Sequence, residues 1–167
     1  MNVEQQGVTK DRYTLIPRTL IFITSGERVL LLKGSPNKRL WANQYNGIGG
    51  HVERGEDVLT AAKRELAEET GLVVPDLWLC GIITVDTSMD TGIGIFVYRG
   101  DSSQKEMTPT SEGELDWVLI KEINELPLVE DLNVILPNAL AIKTGEHPFY
   151  AHYSYDEKGE LHINFVS

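Results

Sequence analysis

Three glutamates in the middle of the chain have the spacing that a metal-binding helix side requires. Glu65, Glu68 and Glu69 stand at positions i, i+3 and i+4, so a helix with about 3.6 residues per turn brings their carboxylates to one side. Three adjacent anions repel one another unless a cation lies among them, and ligands that are all oxygen favour Mg²⁺ or Mn²⁺. The spacing therefore predicts a divalent-cation site, and such a site is suited to chemistry on a phosphate.

The segment that carries these glutamates is predicted to be a helix that follows a glycine-rich loop. Residues 57–70 (DVLTAAKRELAEET) are rich in Ala, Leu, Glu and Lys and stop at Gly71, a common helix end. Ala62 and Leu66 point away from the acidic side and are expected to be buried against a sheet. Residues 35–50 contain several glycines and asparagines and are predicted to form a loop whose backbone approaches a ligand closely.

An acidic helix side that faces solvent would explain the same glutamates without a metal. Arg64–Glu68 and Lys63–Glu56 would then be ordinary surface ion pairs. The wider pattern favours the metal site, because from Gly50 the sequence GHVERGEDVLTAAKRELAEETGL matches GX5EX7REUXEEXGU, in which U is aliphatic, at every defined position. This pattern is the signature of the Nudix hydrolases, and the chain therefore resembles that family.

The resemblance implies a metal-dependent hydrolase that cleaves a phosphoanhydride bond in a nucleotide-like diphosphate. It implies that Mg²⁺, with Mn²⁺ as the alternative, is held by a backbone carbonyl and three carboxylates, those of Gly49, Glu65, Glu68 and Glu69. Water attacks phosphorus while a carboxylate accepts its proton, and in MutT-like members the equivalent of Glu65 is the favoured base. Arg64 is implied to hold the carboxylates in place, with Glu56 as its buried support.

A further glutamate from a later loop often completes the metal site in this family. Residues 108–115 (TPTSEGEL) precede a strand that contains a tryptophan, and Glu114 stands where such a ligand is expected. Glu112 is the close alternative. A third explanation is that both are ordinary acids of a polar loop.

Two segments outside this pattern resemble the branch of the family that hydrolyses oxidised purine nucleoside triphosphates. They are residues 45–50 (YNGIGG) and the tail at residues 149–155 (FYAHYSY). The resemblance implies that Asn46 binds the base and that Gly50 contacts the substrate, since an amide both donates and accepts hydrogen bonds at a purine edge. A turn-forming asparagine in Asn-Gly is the alternative.

Residues 126–131 (LPLVED) resemble the part of that branch that reads the base with a pair of carboxylates. Asp131 is the preferred partner of the base, and Glu130 is the second. Because helix starts favour acidic residues, a role for Asp131 as an N-cap explains it equally well. Val129 stands near the position where the human type has the tryptophan that stacks on the base, so the sequence does not specify which base is preferred.

The composition excludes several classes of partner. The 167 residues carry a formal net charge of −10 with no basic stripe, which argues against a nucleic-acid polymer, capped RNA included. No apolar run reaches the ~18 residues that cross a membrane. The polar N-terminus lacks a secretory signal, so a cytoplasmic protein is expected. The lone Cys80 lies in an apolar stretch and is expected in the core rather than as a nucleophile.

The remaining segments supply the strands that must position the helix and the loop. Apolar and β-branched runs predict strands over residues 19–24 and 29–33 as a hairpin, 77–86, 93–98, 117–120, and 149–155 with 161–166 as a closing hairpin. A second helix is predicted over residues 131–143, interrupted or bent near Pro137. This order predicts an α/β fold, the Nudix α/β/α sandwich with a mixed β-sheet between helices. One domain is expected over residues 1–167, with a flexible N-terminus at residues 1–12.

These observations favour one function over two others. The favoured function is Mg²⁺-dependent hydrolysis of a nucleoside triphosphate, an oxidised purine such as 8-oxo-dGTP, to the monophosphate and pyrophosphate, which sanitises the nucleotide pool. The second is Nudix hydrolysis of ADP-ribose or a dinucleoside polyphosphate. The third, a module that senses nucleotides without turnover, is disfavoured because all three glutamates are present. The expected partner is a small nucleotide, and the expected assembly is a monomer or a homodimer.

Overall fold

The computed structural model describes residues 6–7, 9, 11–108 and 110–166. The prediction of a flexible segment at residues 1–12 falls in large part on residues 1–5, 8 and 10, which lie outside the described residues. The prediction of one domain over residues 1–167 stays a prediction, although every described strand belongs to one sheet.

The described residues form eight strands and two α-helices, with a 3₁₀-helix before the second α-helix. The first half contains β1 (Thr14–Ser25), β2 (Arg28–Gly34), β3 (Tyr45–Asn46), α1 (Val58–Thr70), β4 (Trp78–Val85) and β5 (Thr91–Asp101). The second half contains β6 (Gly113–Leu119), the 3₁₀-helix (Ile120–Glu125), α2 (Leu132–Ala141), β7 (Phe149–Tyr155) and β8 (Leu161–Val166). The predicted first helix and both predicted hairpins are confirmed.

The strands form one mixed sheet. Its main order is β3-β2-β1-β5-β4-β7-β8, and β6 pairs with the opposite edge of β2. The pairs β1–β5 and β4–β7 are parallel, and the other neighbours are antiparallel. The mixed sheet is therefore as predicted.

One α-helix covers each face of this sheet. Leu66 of α1 packs with Ile21 and Ile23 of β1, whereas Leu136 of α2 packs with Phe22 on the other face. Successive residues of β1 point to opposite faces, so a single strand contributes to both cores. This arrangement confirms the predicted α/β/α sandwich. In the described part of the chain, no helix is long and apolar enough to cross a membrane.

The glycine-rich loop is partly inserted into the sheet. β1 and β2 pair next to their connecting turn and separate further along, and residues 48–52 enter the gap beside residues 17–21. The backbone hydrogen bonds that hold them there are Ile21 N to Ile48 O (2.7 Å), Ile48 N to Ile21 O (3.1 Å), Thr19 N to Gly50 O (2.9 Å) and Val52 N to Pro17 O (3.1 Å). The loop therefore has a fixed position relative to the strands.

Glycine is required at position 49 by this insertion. Gly49 has a φ of +147°, and a Cβ at this position would lie 2.2 Å from the carbonyl oxygen of Thr19. A side chain would clash with the backbone of β1. Glycine thus allows the chain to pass between the two strands just before α1.

The C-terminal elements differ from the sequence prediction in their bounds. β6 begins at Gly113 rather than at residue 117, because pairing along the whole of β2 includes polar residues that no apolar pattern marks. α2 ends at Ala141 rather than at residue 143, and it runs through Pro137 without interruption. Pro137 lacks the N–H that would bond to the Asn133 carbonyl. Asn133 and Pro137 are both exposed residues of α2.

Cys80 lies in the core, as predicted. It is fully buried with Ile83 and Val97 on the α2 side of the sheet, and burial raises the pKa of its thiol to about 12. A protonated, buried thiol is a poor nucleophile. Cys80 therefore has no part in the site described below.

Candidate active site

The caps and the buried side of α1 determine where its acidic side points. The carboxylate of Asp57 accepts a hydrogen bond from the Thr60 backbone N–H at 3.0 Å and so caps the N-terminus. Gly71 ends the helix in the left-handed conformation with a φ of 73°. Ala62 and Leu66 are buried, as predicted. The carboxylates of α1 are left on the side next to the glycine-rich loop.

Arg64 is the centre of an ion-pair network on this side of α1. Its Nε donates to Glu56 Oε2 at 3.1 Å and its Nη2 to Glu56 Oε1 at 2.7 Å. Its Nη1 donates to Glu65 Oε1 at 2.9 Å and to Glu68 Oε2 at 3.0 Å. Nη2 also donates to the His51 carbonyl at 3.1 Å. One guanidinium thus connects two helix carboxylates with the loop that precedes the helix.

The network favours the charged forms of its members. The hydrogen bonds to Glu56, followed by those to Glu65 and Glu68, raise the pKa of Arg64 above its ordinary value. The same contact with Arg64 lowers the pKa of Glu56. The Arg64–Glu68 pair of the surface explanation is present, but Glu56 pairs with Arg64 and not with Lys63 in the described contacts. Glu56 therefore lies where a support for Arg64 is expected.

Glu65 and Glu69 contact the glycine-rich loop directly. A Cβ at Gly50 would lie 2.5 Å from Glu65 Oε1, so the absence of a side chain makes room for this carboxylate. The backbone N–H of Gly49 donates to Glu69 Oε2 at 3.2 Å. Burial, together with the charge of Glu65, raises the pKa of Glu69 to about 7. A partly buried carboxylate beside a second anion is the environment that a cation would relieve.

These groups open into a cavity of about 400 Å³, a size suited to a small ligand. Its walls come from β1, β5, the glycine-rich loop, α1 and the loop before β6. The residues that line it are Arg18, Thr19, Leu20, Lys38, Trp41, Asn46, Gly47, Gly49, Gly50, His51, Glu53, Glu65, Glu69, Ile95 and Glu112. Carboxylates, two strong cations and an amide thus share one space.

Asn46, the predicted base-binding residue, lies in this cavity. Its Oδ1 accepts a hydrogen bond from the backbone N–H of Gly47 at 2.8 Å. Among the described residues, no group accepts a hydrogen bond from its Nδ2. The side chain therefore makes the local turn contact of an Asn-Gly pair and still presents an amide donor to a ligand.

The later loop contributes Glu112 to the cavity rather than Glu114. Glu112 lines the cavity, and Lys38 lies 2.6 Å from its Oε2. Glu114 is already within β6, opposite Lys33 of β2, and lines separate depressions. Because β6 begins at Gly113, Glu114 is directed by strand pairing, whereas Glu112 belongs to the turn before it. This placement favours Glu112, the alternative, over Glu114, and the identity of the residue that completes the metal site stays a prediction.

Asp131 and Glu130 do not line this cavity. Asp131 stands at the N-cap position of α2, but its side chain makes no capping hydrogen bond. Its Oδ2 instead accepts a hydrogen bond from the hydroxyl of Tyr153 at 2.8 Å. Glu130 is exposed beside Asn124 and Asn133 at another depression. The side-chain N-cap explanation is therefore wrong, and contact of either acid with a base stays a prediction.

The predicted metal ligands are partly assembled. Glu65 and Glu69 line the cavity, and no described residue donates a hydrogen bond to the Gly49 carbonyl. Within the described residues, however, no group of three or more His, Cys, Asp and Glu side chains is arranged to hold a metal ion. Arg64 binds one oxygen of Glu65 and one of Glu68, so both carboxylates already have a partner. The donors are all oxygen and fit a hard divalent cation, and the ligand set stays a prediction.

Several side chains of the cavity were not indicated by the sequence, among them Arg18, Lys38 and Trp41. Arg18 lies on β1, and its Nε donates to Nε2 of His51 at 3.2 Å. No motif contains Arg18, and only the insertion of the loop beside β1 brings it to the site. The two loop residues stand in a segment predicted as irregular, in which no periodicity indicates direction.

Comparison with known proteins agrees with the fold. Residues 14–139 match the NUDIX domain family. An oxidised purine nucleoside triphosphate hydrolase from Danio rerio is 34% identical over 106 residues, 63% of this chain and 67% of the relative. The enzyme of that name from Mus musculus is 28% identical over 144 residues, 86% of this chain and 88% of the relative.

Solved structures show the same similarity. A MutT protein from Bacillus halodurans superposes with a TM-score of 0.74 at 26% identity, covering 90% of this chain and 97% of that one. The NUDIX domain of Shewanella oneidensis NrtR, solved with ADP ribose, has a TM-score of 0.65 at 16% identity, covering 84% and 98%, and shares the fold. The chain belongs to the Nudix family and is a MutT-like Nudix hydrolase. Enzymes of this family use divalent metal ions.

Proposed function

We propose that the chain hydrolyses a nucleoside triphosphate, an oxidised purine such as 8-oxo-dGTP, to the monophosphate and pyrophosphate with Mg²⁺ as the metal. The observation that carries the proposal is one cavity in which the amide of Asn46 lies together with the carboxylates of Glu65 and Glu69. A nucleotide needs both a group that reads its base and groups that process its phosphates. The enzyme is proposed to act in the cytoplasm as a monomer or a homodimer.

The phosphates are proposed to bind next to α1. The groups that would hold Mg²⁺, or Mn²⁺ as the alternative, are the Gly49 carbonyl and the carboxylates of Glu65, Glu68, Glu69 and Glu112. When bound, the cation polarises the phosphoryl group and offsets its negative charge. Arg18 and Lys38 add positive charge to the cavity of a protein with a net charge of −10. Both are suited to phosphate oxygens.

The hydrolytic step is proposed to use a carboxylate of α1 as the base. The oxygen of water attacks phosphorus, the bond from phosphorus to the leaving phosphate oxygen breaks, and the proton of water passes to the carboxylate. Glu65 is the proposed acceptor, since Gly50 gives its carboxylate access to the cavity. Arg64 is a positioning residue, because it reaches the reacting groups through Glu65 and Glu68.

The base is proposed to bind at Asn46. The relatives from Danio rerio and Mus musculus are named as oxidised purine nucleoside triphosphate hydrolases, which supports a purine in this place. Tyr45, the neighbour of Asn46, accepts a hydrogen bond at its carbonyl from Val129 N at 3.1 Å, which ties the segment before Asp131 and Glu130 to this part of the site. Asp131 is proposed as a second contact to the base, with Glu130 as the alternative.

A panel of substrates tests the proposed function. Purified protein would be assayed with Mg²⁺ on the four common dNTPs, 8-oxo-dGTP, ADP-ribose and a dinucleoside polyphosphate, with products identified by anion-exchange chromatography. We expect the highest kcat/KM on 8-oxo-dGTP or another oxidised purine triphosphate, with equal amounts of monophosphate and pyrophosphate. Faster turnover of ADP-ribose or of the dinucleoside polyphosphate would replace the proposed substrate. An absence of turnover on the whole panel would refute the proposed function.

A further inference from the structure

We propose that Trp41 is the residue on which the base of the substrate stacks, and that it makes the enzyme prefer nucleotides to triphosphates that lack a base. The inference rests on the proposed function, because it names a residue that distinguishes substrates of the same cavity. Trp41 belongs to neither the family signature nor the helix that carries the carboxylates. It extends the site to the loop between β2 and β3.

The first observation is the exposure of Trp41 at the cavity. The residue is 48% exposed and lines the same cavity as Asn46. Among the described residues, no other Trp, Tyr or Phe lines it. A half-exposed indole in a ligand cavity offers a flat apolar face, and stacking on such a face is tolerant of the identity of the base.

The second observation is that the backbone of Trp41 is held in place. Trp41 has a φ of +59°, a conformation that large side chains rarely adopt. Gln44 N donates to the Trp41 carbonyl at 3.1 Å, and Asn43 N donates to the Gly34 carbonyl at 2.9 Å. A Cβ at Gly34 would lie 2.4 Å from the Trp41 oxygen, so the absence of a side chain there allows the turn to close. The tryptophan is therefore presented by a fixed turn.

The third observation is the link between this turn and the opposite wall. Lys38, three residues before Trp41, forms an ion pair with Glu112 at 2.6 Å. Glu112 lines the cavity together with Glu65 and Glu69. The loop that presents the indole is thus connected to the carboxylate side of the cavity. A nucleotide with its phosphates at the carboxylates would place its base in the same cavity.

The other tryptophans of the chain are engaged elsewhere. Trp78 Nε1 donates to the Ile142 carbonyl at 3.3 Å, and the Arg99 guanidinium lies 5.4 Å from its ring centre. Trp117 Nε1 donates to the Lys105 carbonyl at 3.2 Å. Neither lines the cavity. A ligand that stacks on an indole in this cavity would therefore change the fluorescence of Trp41 and leave the fluorescence of Trp78 and Trp117 unchanged.

The test compares Trp41→Ala with Trp41→Phe and with Leu40→Ala. Leu40 is the matched control, because it is the neighbouring residue, is 53% exposed and does not line the cavity. The substrates are 8-oxo-dGTP, dGTP and ribose 5-triphosphate, which has the same phosphates but no base. We expect Trp41→Ala to raise KM for both nucleotides about 5- to 100-fold, the scale for losing one stacked base. KM for ribose 5-triphosphate should change less than about 2-fold in every variant.

Trp41→Phe should keep KM for the nucleotides within about 3-fold of the parent, because a phenyl ring also stacks. Unchanged nucleotide KM in Trp41→Ala would overturn the inference. So would an equal loss in Leu40→Ala, or an equal loss on ribose 5-triphosphate, since each would assign Trp41 to loop structure. Circular dichroism and Tm of each variant identify any failure to fold, and Trp41→Phe keeps the test valid in that case.

A binding measurement separates this inference from the proposed function. The α,β-methylene analogue of dGTP, which resists cleavage at that bond, would be titrated with Mg²⁺ while tryptophan fluorescence is recorded. We expect quenching in the parent and in Leu40→Ala, and none in Trp41→Phe although that variant still binds the analogue by calorimetry. If the parent hydrolyses no triphosphate, the proposed function fails, and this titration still decides whether Trp41 meets a base. Equal quenching in the parent and in Trp41→Phe would overturn the inference.

Discussion

Arg64 and Glu56 form a two-point ion pair that fixes α1 to the loop before it. The two hydrogen bonds measure 3.1 Å and 2.7 Å, and the same guanidinium also binds the His51 carbonyl at 3.1 Å. A planar guanidinium can satisfy all of these acceptors at once, and a lysine cannot. The position of the helix relative to the glycine-rich loop therefore depends on Arg64.

Arg64→Ala should lower both stability and turnover. Loss of the guanidinium leaves Glu56, Glu65 and Glu68 without their common partner, and their mutual repulsion is no longer offset. We expect the Tm to fall by about 3 to 8 °C and kcat to fall at least about 10-fold. Thermal unfolding followed by circular dichroism, with parallel kinetics, measures both. Lys63→Ala is the matched control on the same helix, and an equal fall in its Tm would mean that Arg64 has no special role.

Turnover should require a divalent cation. The carboxylates beside Gly49 and Gly50 repel the phosphates of a nucleotide, and the only Arg or Lys side chains among the described residues that line the cavity are Arg18 and Lys38. We expect excess chelator to abolish hydrolysis and added Mg²⁺ or Mn²⁺ to restore it. Undiminished turnover in chelator would falsify the metal requirement. The same titration with Ca²⁺ would show whether any divalent cation at the metal site supports hydrolysis or whether Mg²⁺ or Mn²⁺ is needed.

Glu69→Gln should lower turnover without lowering stability, whereas Arg64→Ala should lower both. Glu69 is partly buried next to Glu65, so a neutral amide removes an unfavourable negative charge. We expect kcat to fall about 100-fold or more while the Tm in chelator stays equal or rises. Glu125→Gln, an exposed residue that does not line the cavity, should change neither quantity. A near-parent kcat in Glu69→Gln would remove Glu69 from the ligand set.

Glu112→Gln and Glu114→Gln form a matched pair that tests which of the two glutamates completes the site. The two residues are separated by Gly113, but Glu112 alone of the pair lines the cavity. We expect Glu112→Gln to lower kcat or the apparent affinity for Mg²⁺ about 10-fold and Glu114→Gln to change them less than about 2-fold. The reverse outcome would restore Glu114 as the residue that completes the site. Metal titrations at saturating substrate provide the measurement.

Asn46→Ala should impair selection of the base more than the chemistry on the phosphates. Loss of one hydrogen bond to a base corresponds to about 1 to 3 kcal/mol, or roughly 5- to 100-fold in relative kcat/KM between purine and pyrimidine triphosphates.

Asp131→Asn should shift the preference between oxidised and normal purines, since an amide presents a different donor pattern. Asp131→Asn also replaces the carboxylate that accepts the hydrogen bond from the Tyr153 hydroxyl. The Tm of this variant is therefore a necessary control. Equal fractional losses on every substrate would assign both Asn46 and Asp131 to structure.

The parts of the fold that depend on local sequence were predicted well, because their signals are local. Asp57, the Ala- and Leu-rich segment after it and Gly71 indicate α1 without reference to the rest of the chain. The choice between Glu112 and Glu114 is different in kind. It depends on where β6 begins to pair with β2, which is a register between distant segments.

The missed side chains of the cavity have the same explanation. Arg18 joins the site because residues 48–52 lie beside β1, and Trp41 joins it because Gly34 allows the turn to close over the strand end. Neither contact leaves a periodic pattern in the sequence. A local pattern thus indicates the carboxylates of α1, whereas the other side chains that line the cavity are brought there by the three-dimensional arrangement.

The placement of residues 48–52 inside the sheet also has a consequence for how the protein loses activity. Their hydrogen bonds to β1 belong to the same ladder that holds the core together, so this part of the site opens only when strands separate. Amide hydrogens of Ile21 and Ile48 should then exchange with solvent at the rate of whole-molecule unfolding, like those of the central strands. Heat inactivation should follow the melting of the protein, and substitutions that loosen the gap between β1 and β2 should appear as losses of heat resistance even where the cavity is untouched.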